Sequence, residues 1–145
     1  MEQPLCRTIA LEFLAKQGCM VIYCGSQPLS DAGWDMHLEQ VRSAANRQSD
    51  LKLLVINEGG RPSKAQQARL AEVVSGHEWA AAVVSSRIAV RFIVSSLSLV
   101  KPNLGCFTPD QMTDAFEHLG IEEHARASVL QAIERLRLHV HPAHP

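Results

Sequence analysis

The stretch LKLLVINEGGRPSKAQQARLAEVVSGHEWAAAVVS, residues 51–85, decides the fold. It reads as a strand, a glycine turn, an amphipathic helix and a second strand, which together make one βαβ crossover. Leu53, Leu54, Val55 and Ile56 form an unbroken apolar run, as do residues 80–84. A strand with no polar face is buried on both sides, so the stretch predicts a sheet covered by helices. Within it, Ser63 and Gln66 stand three apart as a capping box, and Gly76 is placed to close the helix as a C-cap. Leu70, Val73 and Val74 are the residues that such a helix turns toward the sheet.

Toward the N-terminus, residues 7–14 admit two readings. Ile9, Phe13 and Gln17 stack as on a helix, whereas Ile9, Leu11 and Phe13 share one face of a strand. The Lys16-Gln17-Gly18 turn and the β-prone run CMVIYC (19–24) favour the strand, hence a hairpin. A helix then follows from an N-cap at Ser30 to about residue 47, with Leu29 and Trp34 as a hydrophobic staple. Trp34, Leu38, Val41 and Ala45 form its apolar stripe, which makes Trp34 a core-facing anchor.

Toward the C-terminus, a third helix is expected over residues 87–100, capped by Ser85 or Ser86. Its polar residues Arg87, Arg91, Ser95 and Ser98 lie on one narrow stripe, and nearly all the rest is apolar. That arc is roughly twice the 100° a sheet-bound helix needs. Either neighbouring helices cover the surplus, or the second half is extended, or the face meets another protein or a second copy of the chain. LGCF (104–107) reads as an edge strand, and Thr108-Pro109-Asp110-Gln111 as a capped helix start. That helix carries Met112, Ala115, Phe116 and Leu119 inward and stops at Gly120. A last helix over 121–140 places Ile121, Ala125, Val129, Ala132, Ile133 and Leu136 on one face.

At 145 residues the chain fits one domain, residues 1–138, with a flexible His/Pro tail over 139–145. The net charge is −1 and the basic residues are scattered, so neither nucleic acid nor an anionic membrane is the expected partner. No apolar run approaches the roughly 20 residues that span a bilayer. Glu2 and Glu12 do not suit a signal peptide, and the expected location is cytoplasmic. Cys6, Cys19, Cys24 and Cys106 lack C-x-x-C spacing and read as buried free thiols. Neither a cofactor nor a metal is expected, since His139, His141 and His144 sit in a proline-broken tail that cannot hold a fixed geometry. No catalytic set emerges either: Cys24 or Cys106 with His37, His77 or His118 would need a base within hydrogen-bond reach.

The predicted order is β-β-α-β-α-β-α-β-α plus one C-terminal helix, an α/β fold with a single mixed, mostly parallel sheet of four or five strands. With CMVIYCGSQPLSDAGWDMHLEQV (19–41), LKLLVINEGGRPSKAQQARL (51–70) and WAAAVVSSRIAVRFIVSSL (79–97), this layout resembles the STAS and SpoIIAA-like domains over roughly residues 7–120. The resemblance implies a non-enzymatic regulatory module that binds a protein partner or itself through its helical face. It also implies a candidate phosphosite at Ser63, with Arg61 or Lys64 to pair the phosphate; Ser63 reads equally as a helix cap. The expected partner surface comprises Arg61, Lys64, Arg87, Arg91, Phe92 and Ser95. The alternative is an anion- or nucleotide-binding domain using helix N-termini at Gly59-Gly60 and Ser85-Arg87, at the carboxyl ends of adjacent strands. A receiver-type phosphoacceptor fails on its acids: Asn57 stands where the aspartate belongs, and residues 24–26 carry no acidic pair.

Overall fold

Five strands pair side by side in the order in which the chain makes them, in a computed structural model that describes residues 8–74, 79–98 and 103–141. Strands β1 (Ile9–Leu14) and β2 (Cys19–Cys24) form the antiparallel hairpin, in register from Ile9 opposite Cys24 to Leu14 opposite Cys19. The helical reading of residues 7–14 loses because Gly18, at φ 62°, lets the chain reverse within four residues. Gln17 N–H donates to the Leu14 carbonyl at 3.1 Å across that turn. Strands β3 (Lys52–Asn57), β4 (Ala80–Val84) and β5 (Leu104–Phe107) then add in parallel, one beyond the next.

The connecting helices are α1 (Asp31–Arg47), α2 (Lys64–Val74) and α3 (Ile88–Ser98). Parallel crossovers are right-handed, so strands laid down in one direction send all three helices to the same face. On that face Met20, Ile22, Leu53 and Ala81 meet Trp34, Leu38, Val41 and Val73. The opposite face stays bare until the chain has passed β5. There a 3₁₀ turn (Pro109–Gln111) leads into α4 (Met112–Leu119) and α5 (Glu123–Val140). Phe116, Leu119, Val129 and Leu136 from these two helices cover Val21, Leu54, Ala82 and Val84. Every residue of β2 is buried, as its unbroken apolar run requires.

The helix ends follow their caps. Ser30 Oγ accepts from Gly33 N–H at 3.1 Å, Thr108 and Gln111 close a capping box, and Gly120 adopts the left-handed conformation at φ 69°. Helix α5 continues to Val140, whose side chain is 6% exposed, two residues past the domain boundary drawn at 138. Glu2, Cys6, Gly76, His77 and His144, each read from sequence above, and residues 99–100 of the expected third helix lie outside the described residues. Among the described residues no helix is long and apolar enough to cross a membrane.

Leu54 sits fully buried at the centre of the sheet, against α4 and α5. Leu54→Ala is expected to lower the unfolding free energy by about 3 kcal/mol in urea titrations, from lost burial plus the cavity left behind. Leu130→Ala, on the half-exposed side of α5, should stay within about 0.5 kcal/mol.

Candidate functional site

The layer formed by α1, α2 and α3 is where the structure departs most from a plain packed sandwich. Helix α2 is pinned at its first turn by Gln66, which is only 2% exposed. Its Oε1 accepts from Ser63 N–H at 2.8 Å, completing the capping box, and its own N–H donates to Ser63 Oγ at 3.1 Å. Its Nε2 donates to the Leu29 carbonyl at 2.9 Å and to Asp31 Oδ1 at 3.0 Å, and its carbonyl accepts from Trp34 Nε1–H at 2.9 Å. Arg69, one turn on, pairs with Asp31 at 3.2 Å. These contacts tie α2 to α1. Toward α3 there is no comparable tie among the described residues.

Between α2 and α3, over the sheet, lies a cavity of about 510 Å³. Its floor is β3 and β4, including Val55, Ala81 and Val83, and its walls carry Trp34, Leu70, Ala71, Trp79, Ile93 and Leu97. Ala71 and Ala81, also among the lining residues, offer no more than a methyl group to fill it. His37 also lines the space and is 5% exposed. Its Nδ1–H donates to the Trp34 carbonyl at 2.6 Å, because a carbonyl can only accept, and this leaves Nε2 as a bare acceptor. Nε2 has no partner among the described residues. Burial lowers the imidazole from 6.5 to about 4, against the opposing hydrogen bond to Trp34 and the charge of Asp35.

Helix α3 divides its surplus apolar arc three ways. Val90 and Val94 pack on Val83, and all three line the cavity together with Ile93 and Leu97. Ile88 and Phe92, one turn apart, point to solvent with 77% and 72% of their surface exposed. Of the predicted partner surface, Arg61 before α2, Lys64 at its start, Arg87 before α3 and Ser95 within α3 are exposed. Arg87 leans over the β3–α2 loop, its Nε–H donating to the Glu58 carbonyl at 3.3 Å. Arg91 behaves differently from the solvent stripe expected of it: it is half-buried, its Nε is enclosed without a hydrogen-bond partner, and its charge acts on Cys106. Ser63 is exposed and serves as the α2 cap.

The carboxyl ends of the strands form a second, more open cleft of about 480 Å³, lined by Ser26, Ser85, Ser86 and Arg87 among others. At its centre Tyr23 O–H donates to Glu58 Oε2 at 2.6 Å, and His141 Nε2 meets Glu58 Oε1 at 2.6 Å. Burial pushes the Glu58 carboxyl up, but these two hydrogen bonds and the nearby His141 and Arg137 charges bring it below the usual carboxylate range. Burial first, and then the bond to Glu58, raise the Tyr23 phenol well above its ordinary value, which keeps it a donor. Sequence reading missed this group because Tyr23 looked like core, Glu58 like turn and His141 like tail. Its members are separated by 35 and 83 residues, and no local pattern links them.

The glycine turn is not an anion cradle. Gly59 N–H donates to Asn57 Oδ1 at 2.6 Å and Gly60 N–H to the Gly25 carbonyl at 2.9 Å, so both amides are consumed inside the fold. Asn57 Nδ2 also donates to the Gly60 carbonyl at 2.8 Å, which makes that residue a loop organiser. The thiols of Cys19 and Cys106 are free. Burial pushes Cys19 up to about 12 and also raises Cys106, where the Arg91 charge offsets only part of the effect, so neither is poised as a nucleophile. Among the described residues no group of three or more metal-ligating side chains converges.

Comparison with protein-family models, with curated proteins and with solved structures gives no significant match.

Two outcomes test this geometry. A Cβ at residue 60 would lie 2.6 and 2.7 Å from the backbone oxygens of Gln27 and Gly25, which cannot yield as a side chain would. Gly60→Ala should therefore cost about 2 kcal/mol of stability, read from the thermal or urea midpoint. His37 stays neutral in the fold down to about pH 4, whereas the unfolded chain takes up that proton below 6.5. Its contribution is thus fully present above pH 7 and is lost as pH falls through that window, about 2 kcal/mol between pH 7 and pH 5. His37→Leu should flatten the stability profile over that interval.

Proposed function

We propose that this chain is a non-catalytic, STAS-like regulatory module that binds a protein surface through α3. The observation that carries this reading is the pair Ile88 and Phe92, large apolar side chains left almost bare one helical turn apart. Such residues on a helix face, rimmed by charge, mark a contact surface. Arg87 at the start of the helix, with Arg61 and Lys64 on the adjoining loop and α2, supplies the charged rim, and Ser95 and Ser96 continue the stripe. The STAS-like assignment is supported by the hairpin-first order of strands and the three crossover helices on one face. Ser63 fits the regulatory role because it is exposed at a helix start between Arg61 and Lys64, where added phosphate meets positive charge. A cytoplasmic location agrees with the free thiols of Cys19 and Cys106.

The test combines solution mass with site-directed cross-linking. Sedimentation equilibrium of the purified chain reads self-association, and a photo-cross-linking residue at Ser95 reads a heterologous contact in the cell. A dimer, or one discrete adduct, that disappears in the Ile88→Ser/Phe92→Ser double variant is the expected result. The double variant should retain its stability to within about 0.5 kcal/mol, because both side chains are already solvated. A monomer with no discrete adduct at Ser95 would remove the α3 face from consideration.

A further inference from the structure

We infer that the cavity between α2, α3 and the sheet is a binding site for a neutral, largely apolar molecule carrying one hydroxyl group, with His37 Nε2 accepting its hydrogen bond. The ligand class is that of a long-chain or isoprenoid alcohol. Three observations converge on it, and none of them depends on the α3 ridge.

The first is size. Protein cores rarely leave voids larger than a water molecule, whereas small-molecule sites occupy roughly 300–1,000 Å³. At about 510 Å³ the space belongs to the second class. The second is lining. The walls are aliphatic and aromatic, with Trp34 and Trp79 among them, and no charged side chain lines the space among the described residues. A carboxylate or phosphate would be desolvated there with nothing to neutralise it.

The third is the polarity of the few hydrogen-bonding groups. Three of the lining donors are already engaged: Trp34 Nε1–H on the Gln66 carbonyl, Asn57 Nδ2 on Gly60, and Gln67 Nε2 on the Pro62 carbonyl at 3.1 Å. His37 is different. Its Nδ1–H is locked onto Trp34, so Nε2 is held as an acceptor in a buried ring, and burial keeps that ring neutral. An acceptor left bare in an apolar chamber is satisfied by a ligand that brings a donor. A single hydroxyl on a hydrocarbon body meets that demand without adding a second polar group to bury.

The experiment uses the full chain and the fluorescent probe N-phenyl-1-naphthylamine, displaced in turn by 1-dodecanol, its methyl ether and dodecanoate. Saturable uptake of one dye per chain is expected, with the alcohol displacing it at about tenfold lower concentration than the ether, the worth of one hydrogen bond. Dodecanoate should be the poorest of the three. His37→Phe should bring alcohol and ether to equal potency while dye uptake persists. Ala81→Phe fills the floor and should abolish uptake; Ala71→Phe does the same from the helix wall should the sheet not tolerate the first. Circular dichroism confirms that each variant is folded. Absence of saturable uptake, uptake unchanged in both folded filling variants, or equal potency of alcohol and ether in the natural sequence would each overturn the inference. Loss of uptake in the Ile88→Ser/Phe92→Ser variant would also overturn it, by placing the dye on the ridge.

Discussion

The central strands have no polar side to show to water, and the rest of the structure follows from covering them twice. Strand β2 is buried along its whole length, and β3 and β4 present apolar residues to both faces. Because consecutive strands lie side by side and parallel crossovers share one hand, α1, α2 and α3 have no choice of face. The bare face must then be covered by whatever comes last, which gives α4 and α5 their purpose. The Arg135 guanidinium, forked onto Glu12 at 3.1 and 2.6 Å, fastens α5 back to the first strand of the sheet.

The two layers differ in quality. Beneath α4 and α5 a continuous cluster runs from Ala10 to Val140. On the other side the apolar contacts fall into two groups, one around Trp34 and a small one around Val83, Val90 and Val94. The cavity lies between them, and Ala71 and Ala81 in its lining offer only methyl groups to fill it. Gln66 and Arg69 tie α2 to α1, and no comparable bond ties it to α3 among the described residues. A protein that leaves such a space in its interior forgoes dispersion contacts along the whole lining. That loss is the physical reason to look for function in this layer rather than in the sealed one.

At the strand ends the reverse has happened. Tyr23, Glu58 and His141 satisfy one another, the glycine amides are consumed by Asn57 and Gly25, and Arg87 closes over the loop. The position is the customary ligand site of parallel sheets. Here its polar groups act largely as a clasp between the sheet and the C-terminus of α5.

By itself the sequence determined most of the elements and many of their ends, because those depend on local rules: unbroken apolar runs, capping pairs such as Ser63 with Gln66, and the turn at Gly18. It left residues 7–14 open between strand and helix. It also marked α3 as over-supplied with apolar surface. Only the tertiary structure decided how that surplus divides among sheet, cavity and solvent, since Ile88, Ile93 and Val94 look alike along the chain and differ only in what faces them. The same holds for His37, along the chain only one of several histidines weighed as a base, until Trp34 ties one ring nitrogen and burial keeps the ring neutral, and for Tyr23, Glu58 and His141, which meet only after the sheet and the last helix have formed. Periodicity and capping act over a few residues and can be read in one dimension. Cavities and long-range hydrogen bonds are properties of how the elements fail or manage to meet, and those distances exist only in three.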